Sequence, residues 1–219
     1  MAAAYKAHAA EMEAAFQAAK AAWPPRGIFL RAFKADAVVE LWAAPAVRGG
    51  AWVKVRDFAV CARSGELGPK RRVGDYQVPE GFYTINRFNP MSSYHLSLGL
   101  DYPHIGDRAR TPRGVSPGGD IFVHGKCVTI GCLPLQDDPI EALYVVAVEA
   151  RDNGQSRIPV HIFPCRLDQP DCQVRLKTAA QADATLAPFW DALRPGYLAF
   201  EATHIPPRVT PRKDGGWDL

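Results

Sequence analysis

The sequence predicts a mainly β domain with helices added at its N-terminal and C-terminal ends. Three runs rich in β-branched and aliphatic residues follow one another early in the chain, as the strands of a sheet do. These runs are 28–34, 38–43 and 52–61. The chain has 219 residues, of which 47% are hydrophobic and 22% charged, so it is long enough to bury one core. We expect a helix and linker over 1–26, one domain over 27–207, and an exposed tail over 208–219.

An alanine-rich segment at the start of the chain predicts a helix over 2–22. Its loose apolar stripe consists of Tyr5, Met12, Phe16 and Trp23. Pro24-Pro25 follows this stripe directly, and proline cannot continue a helix, so the helix is expected to end there.

Beyond the first three strands, a loop over 64–79 leads to two more predicted strands, 82–88 and 94–100. The next segment, 101–120, has four glycines, three prolines and no apolar period. Ordered loops of this length tend to be lids or binding loops, so we expect this one to cover the substrate. Its arginines are Arg108, Arg110 and Arg113.

The second half of the chain predicts two helices on either side of one strand. The first helix covers 138–153, with Asp138 as its N-cap. A strand over 157–163 follows. The second helix covers 179–193 and is expected to be interrupted near Pro188.

The most informative stretch, 121–135, places a histidine, two thiols and two glycines within a run of β-branched and aliphatic residues. Its first three residues predict a buried strand that delivers His124 to a sheet edge. Gly125 and Gly131 permit the tight backbone path that returns Cys132 towards the imidazole. Only a thiolate attacks, and a neighbouring imidazole accepts the thiol proton at neutral pH. The pattern therefore indicates a cysteine nucleophile with a histidine base.

Two other interpretations of this stretch are a metal half-site and a pair of buried structural thiols. The spacing of Cys127 and Cys132 lacks the paired Cys-x2-Cys of a structural zinc site, so no metal is expected. Cys127 is also a rival nucleophile, but no glycine precedes it to free its N–H towards a substrate. Cys165 and Cys172 are either bridged or both reduced, and Cys61 lies in an alternating strand typical of the core.

The stretch resembles the catalytic motif of the YkuD-type L,D-transpeptidases, most closely the YafK-like branch, in which His-Gly is followed at short range by Ser/Thr-x-Gly-Cys. The corresponding residues are His124-Gly125 and Thr129-Ile130-Gly131-Cys132. The resemblance covers about 28–207. Its further matches are Leu30-Arg31-Ala32-Phe33-Lys34, Ser64-Gly65, Gly68-Pro69-Lys70, Gly74-Asp75, Val78-Pro79-Glu80-Gly81-Phe82-Tyr83, Ser93-Tyr94-His95-Leu96-Ser97 and Tyr102-Pro103.

Two features differ from the wider family, whose base histidine lies farther upstream of a Ser-His-Gly-Cys motif. Only seven residues separate His124 from Cys132, and Ile130 replaces the second histidine, so His124 is left as the local base. Pro134 replaces a polar residue that usually follows the cysteine. The usual contact to a substrate carboxylate is therefore missing.

The resemblance implies a YkuD-like catalytic sheet or sandwich that acts on peptidoglycan stem peptides, both as donor and as acceptor, without a metal or a cofactor. Cys132 is the expected nucleophile, open to acylation by carbapenems, and His124 the expected base. Thr129, Gly125 and Gly131 are expected to support them, with the Gly125 carbonyl orienting the imidazole and N–H groups near Gly131 and Cys132 stabilising the oxyanion. The candidate substrate contacts are Arg108, Arg110, Arg113, Arg63, Lys70, Tyr94 and His95.

Three functions remain open: transpeptidation, hydrolysis of crosslinks or of wall-attached protein at the same site, and wall binding with an inert Cys132. The formal net charge of +3 is too small to indicate nucleic-acid binding. No apolar run reaches the length of a membrane span. The resemblance implies a periplasmic protein whose export signal was removed before Met1. The oligomeric state is left open.

Overall fold

The computed structural model describes residues 1–47 and 49–219. In chain order, its elements are α1 (Ala2–Ala18), β1 (Ile28–Phe33), β2 (Val38–Ala43), β3 (Val53–Ala59), β4 (Gly81–Ser92), β5 (His95–Leu100), α2 (Ile105–Arg110), β6 (Phe122–His124), β7 (Leu133–Pro134), α3 (Asp137–Asp152), β8 (Ile158–Phe163), α4 (Pro170–Ala182), α5 (Leu186–Thr203), β9 (Thr210–Pro211) and β10 (Trp217–Asp218). The predicted sheet with helices at both ends of the chain is therefore present. No helix in these two ranges is long and apolar enough to cross a membrane.

Eight of the described strands form one mixed sheet in the order β3-β2-β1-β8-β4-β5-β6-β7. Neighbouring strands are antiparallel except at β1–β8 and β6–β7, which are parallel pairs. Every residue of β1 is buried, as in a central strand that is covered on both faces. The β6–β7 pair lies at one edge of the sheet.

Helices cover both faces of this sheet. On one face α1 packs against α3, and Met12 and Phe16 of α1 join the buried core. On the other face α5 places the ring of Phe200 5.1 Å from that of Phe29 on β1. The domain thus has three layers, with the sheet between two layers of helices. β7 is the last strand at one end of this sheet.

A buried ion pair fastens the loop between β3 and β4 to the sheet. Lys34 directly follows β1, and its Nζ lies 3.0 Å from Glu80 Oε1; both side chains are almost fully buried. Glu80 also accepts hydrogen bonds from Gly68 N at 2.7 Å and from Trp190 Nε1 of α5 at 2.8 Å. A buried charge pair is tolerated where further hydrogen bonds satisfy it, as they do here.

The boundaries of α1 and α3 differ from the predictions. α1 ends at Ala18, earlier than predicted, because Lys20 adopts a left-handed backbone with φ of 59°. α3 begins at Asp137, after Gln136 with φ of 68°. Asp138 is therefore a first-turn residue, and its predicted role as N-cap is wrong.

The predicted helix over 179–193 is divided between two helices. The break falls between Ala182 and Leu186, where the Asp183 carboxylate accepts the N–H of Thr185 at 2.9 Å. Pro188 lies in the first turn of α5, where a proline costs little because its missing N–H has no helical partner. The interruption therefore comes before Pro188 and has a different cause.

The segment 101–120 contains a helix, α2, that the sequence analysis did not predict. His104 caps it: its Nδ1 accepts the N–H of Gly106 at 3.1 Å, and the Asp107 carboxylate accepts the N–H of His104 at 3.1 Å. Helix N-caps are usually Ser, Thr, Asp or Asn, so a histidine gave no sequence signal.

The C-terminal tail was expected to be exposed, but β9 and β10 form a hairpin that returns to the domain. Trp217 is only 8% exposed. Its ring lies 5.7 Å from that of Phe189 on α5 and 4.7 Å from the guanidinium carbon of Arg110 on α2. For Trp217, the prediction of an exposed tail is therefore wrong.

Candidate active site

The predicted histidine lies on β6, and the predicted cysteine directly precedes β7, the strand that pairs with β6 at the edge of the sheet. β6 and β7 pair in parallel, with Val123 opposite Leu133 and His124 opposite Pro134. Side chains alternate between the faces along a strand, so Cys132, next to Leu133, projects to the same face as His124. Both residues line one cavity of about 440 Å³, which we call the large cleft.

The imidazole of His124 is buried and fixed in orientation. Its Nδ1 lies 2.5 Å from the carbonyl oxygen of Gly125, so Nδ1 carries the proton and Nε2 is the acceptor. This is the contact that the sequence predicted. Burial lowers the pKa of His124, and the Gly125 carbonyl opposes this in part. The ring is therefore neutral at pH 7 and able to accept a proton.

The thiol of Cys132 is partly buried, and this burial raises its pKa. A hydrogen bond with the Phe122 backbone and the charge of Lys70 act in the opposite direction. Cys132 Sγ lies 3.6 Å from the carbonyl oxygen of Asp120, and no hydrogen bond to His124 is formed among the described residues. The thiol is therefore protonated at pH 7.

These two pKa shifts predict the pH dependence of thiol alkylation. Because the pKa of Cys132 lies above its ordinary value of 9.0, the rate with iodoacetamide is expected to rise about tenfold per pH unit from pH 7 to 9. Mass spectrometry of the labelled peptide measures this rate. A plateau below pH 8 would contradict a protonated resting thiol.

Thr129 holds the backbone of the turn that carries Cys132. Its Oγ1 accepts the N–H groups of Cys132 at 2.8 Å and of Gly131 at 3.1 Å, and donates to the carbonyl oxygen of Cys132 at 2.8 Å. Both N–H groups that were expected to stabilise the oxyanion are therefore engaged in this state. Thr129 thus fixes the turn, and its predicted role in supporting a catalytic site stays a prediction.

Two glycines allow close approaches that a side chain would block. A Cβ on Gly125 would lie 2.6 Å from Asp137 Oδ1 and 2.9 Å from the carbonyl oxygen of Tyr94. Gly131 has φ of 136°, and a Cβ there would lie 3.0 Å from the carbonyl oxygen of Gln77. The turn that carries Cys132 therefore packs directly against the segment that precedes β4.

Replacing Gly131 with alanine is expected to lower the free energy of unfolding by about 1–3 kcal/mol, because the backbone is strained and the new Cβ meets Gln77. Urea denaturation measures this change. Gly154→Ala is the matched control, since Gly154 also has a positive φ but no atom lies near its Cβ position. Equal losses in both variants would show that the Gln77 contact is unimportant.

Cys127 is not a free thiol, because it forms a disulfide with Cys61 across a Cα–Cα distance of 5.5 Å. This corrects two expectations, that Cys61 belongs to the core and that Cys127 competes as the nucleophile. Cys165 and Cys172 form a second disulfide. Within the part of the chain that the structure describes, Cys132 is the free cysteine.

The structure does not bring the arginines of the 101–120 loop to the large cleft. Arg110 forms an ion pair with the buried Asp107 at 2.8 Å, so its guanidinium stabilises the fold and does not face the large cleft. Arg108 and Arg113 are exposed and line neither cavity beside Cys132. Asp120 is the loop residue that lines the large cleft.

The other candidate contacts fall in different places. Tyr94 lines the large cleft, with its ring centroid 5.0 Å from that of His124. His95 instead faces α3, where its Nε2 lies 2.6 Å from Glu141. Lys70 is buried against Asp75, so its charge influences Cys132 without being exposed to a ligand.

A second cavity of about 190 Å³, the small pocket, also contains Cys132. Arg63, a predicted candidate, lines it together with Ser64 and Arg175. The sequence analysis missed Arg175 and Gln77. No local pattern marks either residue, because tertiary packing alone brings them near Cys132.

These features define a class of protein, in which a cysteine and a histidine from one short segment share a cleft at the edge of a mixed sheet. No protein-family model matches the chain. The protein named "Putative L,D-transpeptidase YafK", from the K12 and O157:H7 strains of Escherichia coli, is 32% identical over 186 residues. The match covers 84% of this chain and 70% of that protein. The chain belongs to the YafK-like branch of the YkuD-type L,D-transpeptidase family.

Two solved structures share the fold, both of the helical cell shape determining protein Pgp2 from Campylobacter jejuni. The first, a point mutant, has a TM-score of 0.50 and 21% identity and covers 80% of this chain. The second has a TM-score of 0.50 and 16% identity and covers 85% of this chain and 73% of that one. The chain spans 59% of the length of the mutant. The predicted YkuD-like fold is thereby confirmed.

Proposed function

We propose that this chain is a cysteine-dependent L,D-transpeptidase that crosslinks peptidoglycan stem peptides through a thioester. The observation that carries the proposal is the fixed imidazole: Gly125 holds Nδ1 of His124, which leaves Nε2 as the acceptor in the cleft that Cys132 shares. A neutral imidazole beside a protonated thiol is the pair that general-base attack requires.

The reaction has two halves on the same pair of residues. Cys132 Sγ attacks a stem-peptide carbonyl while His124 Nε2 takes the thiol proton and passes it to the leaving amine. The amine of a second stem peptide then attacks the thioester, gives its proton to His124, and releases Cys132. During each attack, Thr129 must release an N–H group if Gly131 or Cys132 is to stabilise the oxyanion.

The test of this function is incubation with purified disaccharide-peptides, followed by mass analysis. Crosslinked dimers are expected. Shortened stems would show instead that water resolves the thioester, as in a hydrolase, and unchanged substrate would show a binding module with an inert cysteine. A carbapenem should acylate Cys132, which adds the mass of the drug to the peptide that contains it.

The periplasm is the compartment that we propose. The two disulfides, Cys61–Cys127 and Cys165–Cys172, support it because such bonds persist in oxidising compartments and are rare in the cytosol. Trapping free thiols in intact cells and counting the modified cysteines tests this. One modified cysteine, Cys132, is expected, and five would contradict a periplasmic location.

A further inference from the structure

A carboxylate lies behind the peptide group that fixes the imidazole of His124. Asp137 Oδ1 accepts the N–H of Lys126 at 2.8 Å, and the carbonyl oxygen of Gly125 lies 2.5 Å from His124 Nδ1. This N–H and this carbonyl belong to one peptide group, the trans bond between Gly125 and Lys126. In a trans peptide group the C=O and the N–H point in opposite directions. Asp137 and His124 are therefore hydrogen-bonded to the two ends of the same group.

The local backbone brings the carboxylate to this position. The pairing of β6 with β7 continues to Leu135, whose N–H donates to the carbonyl oxygen of His124 at 2.8 Å. Asp137 follows two residues later as the first residue of α3. A Cβ on Gly125 would lie 2.6 Å from Asp137 Oδ1, so the carboxylate can approach this closely only because residue 125 is a glycine.

The charges around Asp137 leave its carboxylate to this peptide group. Among the residues that the structure describes, Asp137 has no ion-pair partner, because the ammonium of Lys126 donates instead to the carbonyl oxygen of Ser93 at 2.8 Å. The next carboxylate of α3, Asp138, lies 3.4 Å from His8 Nε2 on α1. Asp137 is exposed, and water and salt weaken an exposed charge at a distance. The hydrogen-bonded peptide group is therefore its direct connection to the imidazole.

This connection changes the properties of the imidazole. A hydrogen bond to a carboxylate is about twice as strong as one between neutral groups. Hydrogen bonds in a chain polarise one another, so the carboxylate makes the Gly125 oxygen more negative. A more negative oxygen holds Nδ1–H of His124 more firmly, and it stabilises the positive charge that the ring gains when Nε2 takes up a proton.

We propose that Asp137 is a positioning residue for His124 and acts through the peptide group between Gly125 and Lys126. In a Ser-His-Asp triad, a carboxylate bound directly to the imidazole fixes its tautomer and stabilises its protonated form. Here the carboxylate does the same from the far side of one peptide group. This inference rests on the proposed function, in which His124 is the base.

Asp137→Asn tests the charge, because the amide oxygen still accepts a hydrogen bond. The kcat/KM for disaccharide-peptides is expected to fall about three- to tenfold, and Asp137→Ala, which also removes the acceptor, should lose more than tenfold. Without the carboxylate the protonated ring is less stable, so the pKa of His124 falls further below 6.5. Activity should then be lost at a lower pH than in the parent. A merely structural residue would lower the rate without moving this pH.

Asp138→Asn is the matched control. It removes the same charge from the first turn of the same helix, but its side chain faces His8 and not the peptide group. Its rate should stay within about twofold of the parent, with loss of activity at the same pH. If Asp138→Asn shifted this pH as far as Asp137→Asn, the effect would come from any charge at the start of α3, and the inference would be overturned.

Nuclear magnetic resonance titration of the ring separates this inference from the proposed function, because it needs no turnover. The signals of His124 are those that disappear in His124→Gln. Their titration midpoint is expected to fall by about 0.5–1 pH unit in Asp137→Asn, a three- to tenfold change in proton affinity. A lower midpoint supports the inference even if no crosslinked product is found. An unchanged midpoint overturns it even if Cys132-dependent crosslinking is observed.

Discussion

Replacing Cys132 with alanine is expected to abolish turnover of disaccharide-peptides. The variant has no thiol to form the thioester, and the remaining cysteines are tied in disulfides. Loss of a nucleophile lowers kcat by a factor on the order of 10⁶ in a well-studied protease. Mass analysis of the products measures the effect, and circular dichroism shows whether the variant folds.

The control for this prediction is the double variant Cys61→Ser/Cys127→Ser, which removes the neighbouring disulfide but leaves Cys132 in place. It is expected to lose about 2–4 kcal/mol of stability while keeping a substantial part of the activity at low temperature. If a folded double variant is as inactive as Cys132→Ala, the nucleophile assignment is wrong.

Replacing His124 with glutamine is expected to lower kcat/KM by about 10²- to 10⁴-fold, the usual contribution of a general base. Because burial lowers the pKa of His124 below its ordinary value of 6.5, the parent should stay active down to a pH below 6.5 and lose activity as the ring becomes protonated. The variant should lack this acid limb. The pH profile of kcat/KM therefore separates a base from a merely structural histidine.

His95→Gln serves as the comparison, since the His95 ring faces Glu141 and lies outside the large cleft. This variant should keep a kcat/KM within about twofold of the parent, and it should lose activity at low pH as the parent does. If His124→Gln kept the parent rate at pH 7 and His95→Gln lost it, His95 would be the base instead of His124.

The parts of the fold and site that depend on nearby residues were predictable from sequence. The strand that carries His124, the return to Cys132 and the contact between Nδ1 and the Gly125 carbonyl all lie within one short segment. Their geometry follows from glycine freedom and from residue alternation along strands. The predicted reaction and substrate class came from the family resemblance and not from this local pattern.

The parts that depend on distant residues, on an unusual helix cap or on the exact course of a turn were not predictable. The Cys61–Cys127 disulfide joins positions 66 residues apart, and nothing in either local pattern distinguishes it from a buried thiol. Arg110 pairs with Asp107, only three residues away, but this pairing depends on a helix whose N-cap is an unusual residue, His104, so no local pattern predicted it. The role of Thr129 was missed in part because hydroxyl hydrogen bonds to the backbone depend on the exact course of a turn.

The connection between β6 and β7 consists only of residues 125–132, although the two strands are parallel. Parallel neighbours usually need a crossover of a dozen or more residues. Side chains in this segment are free to vary where they are exposed, as Val128 and Ile130 are, but its length is not. One inserted residue would either open the turn that Thr129 closes or shift β7 and carry Cys132 to the opposite face. This segment should therefore tolerate substitutions at its exposed positions and reject insertions, because its length fixes both the turn and the face on which Cys132 lies.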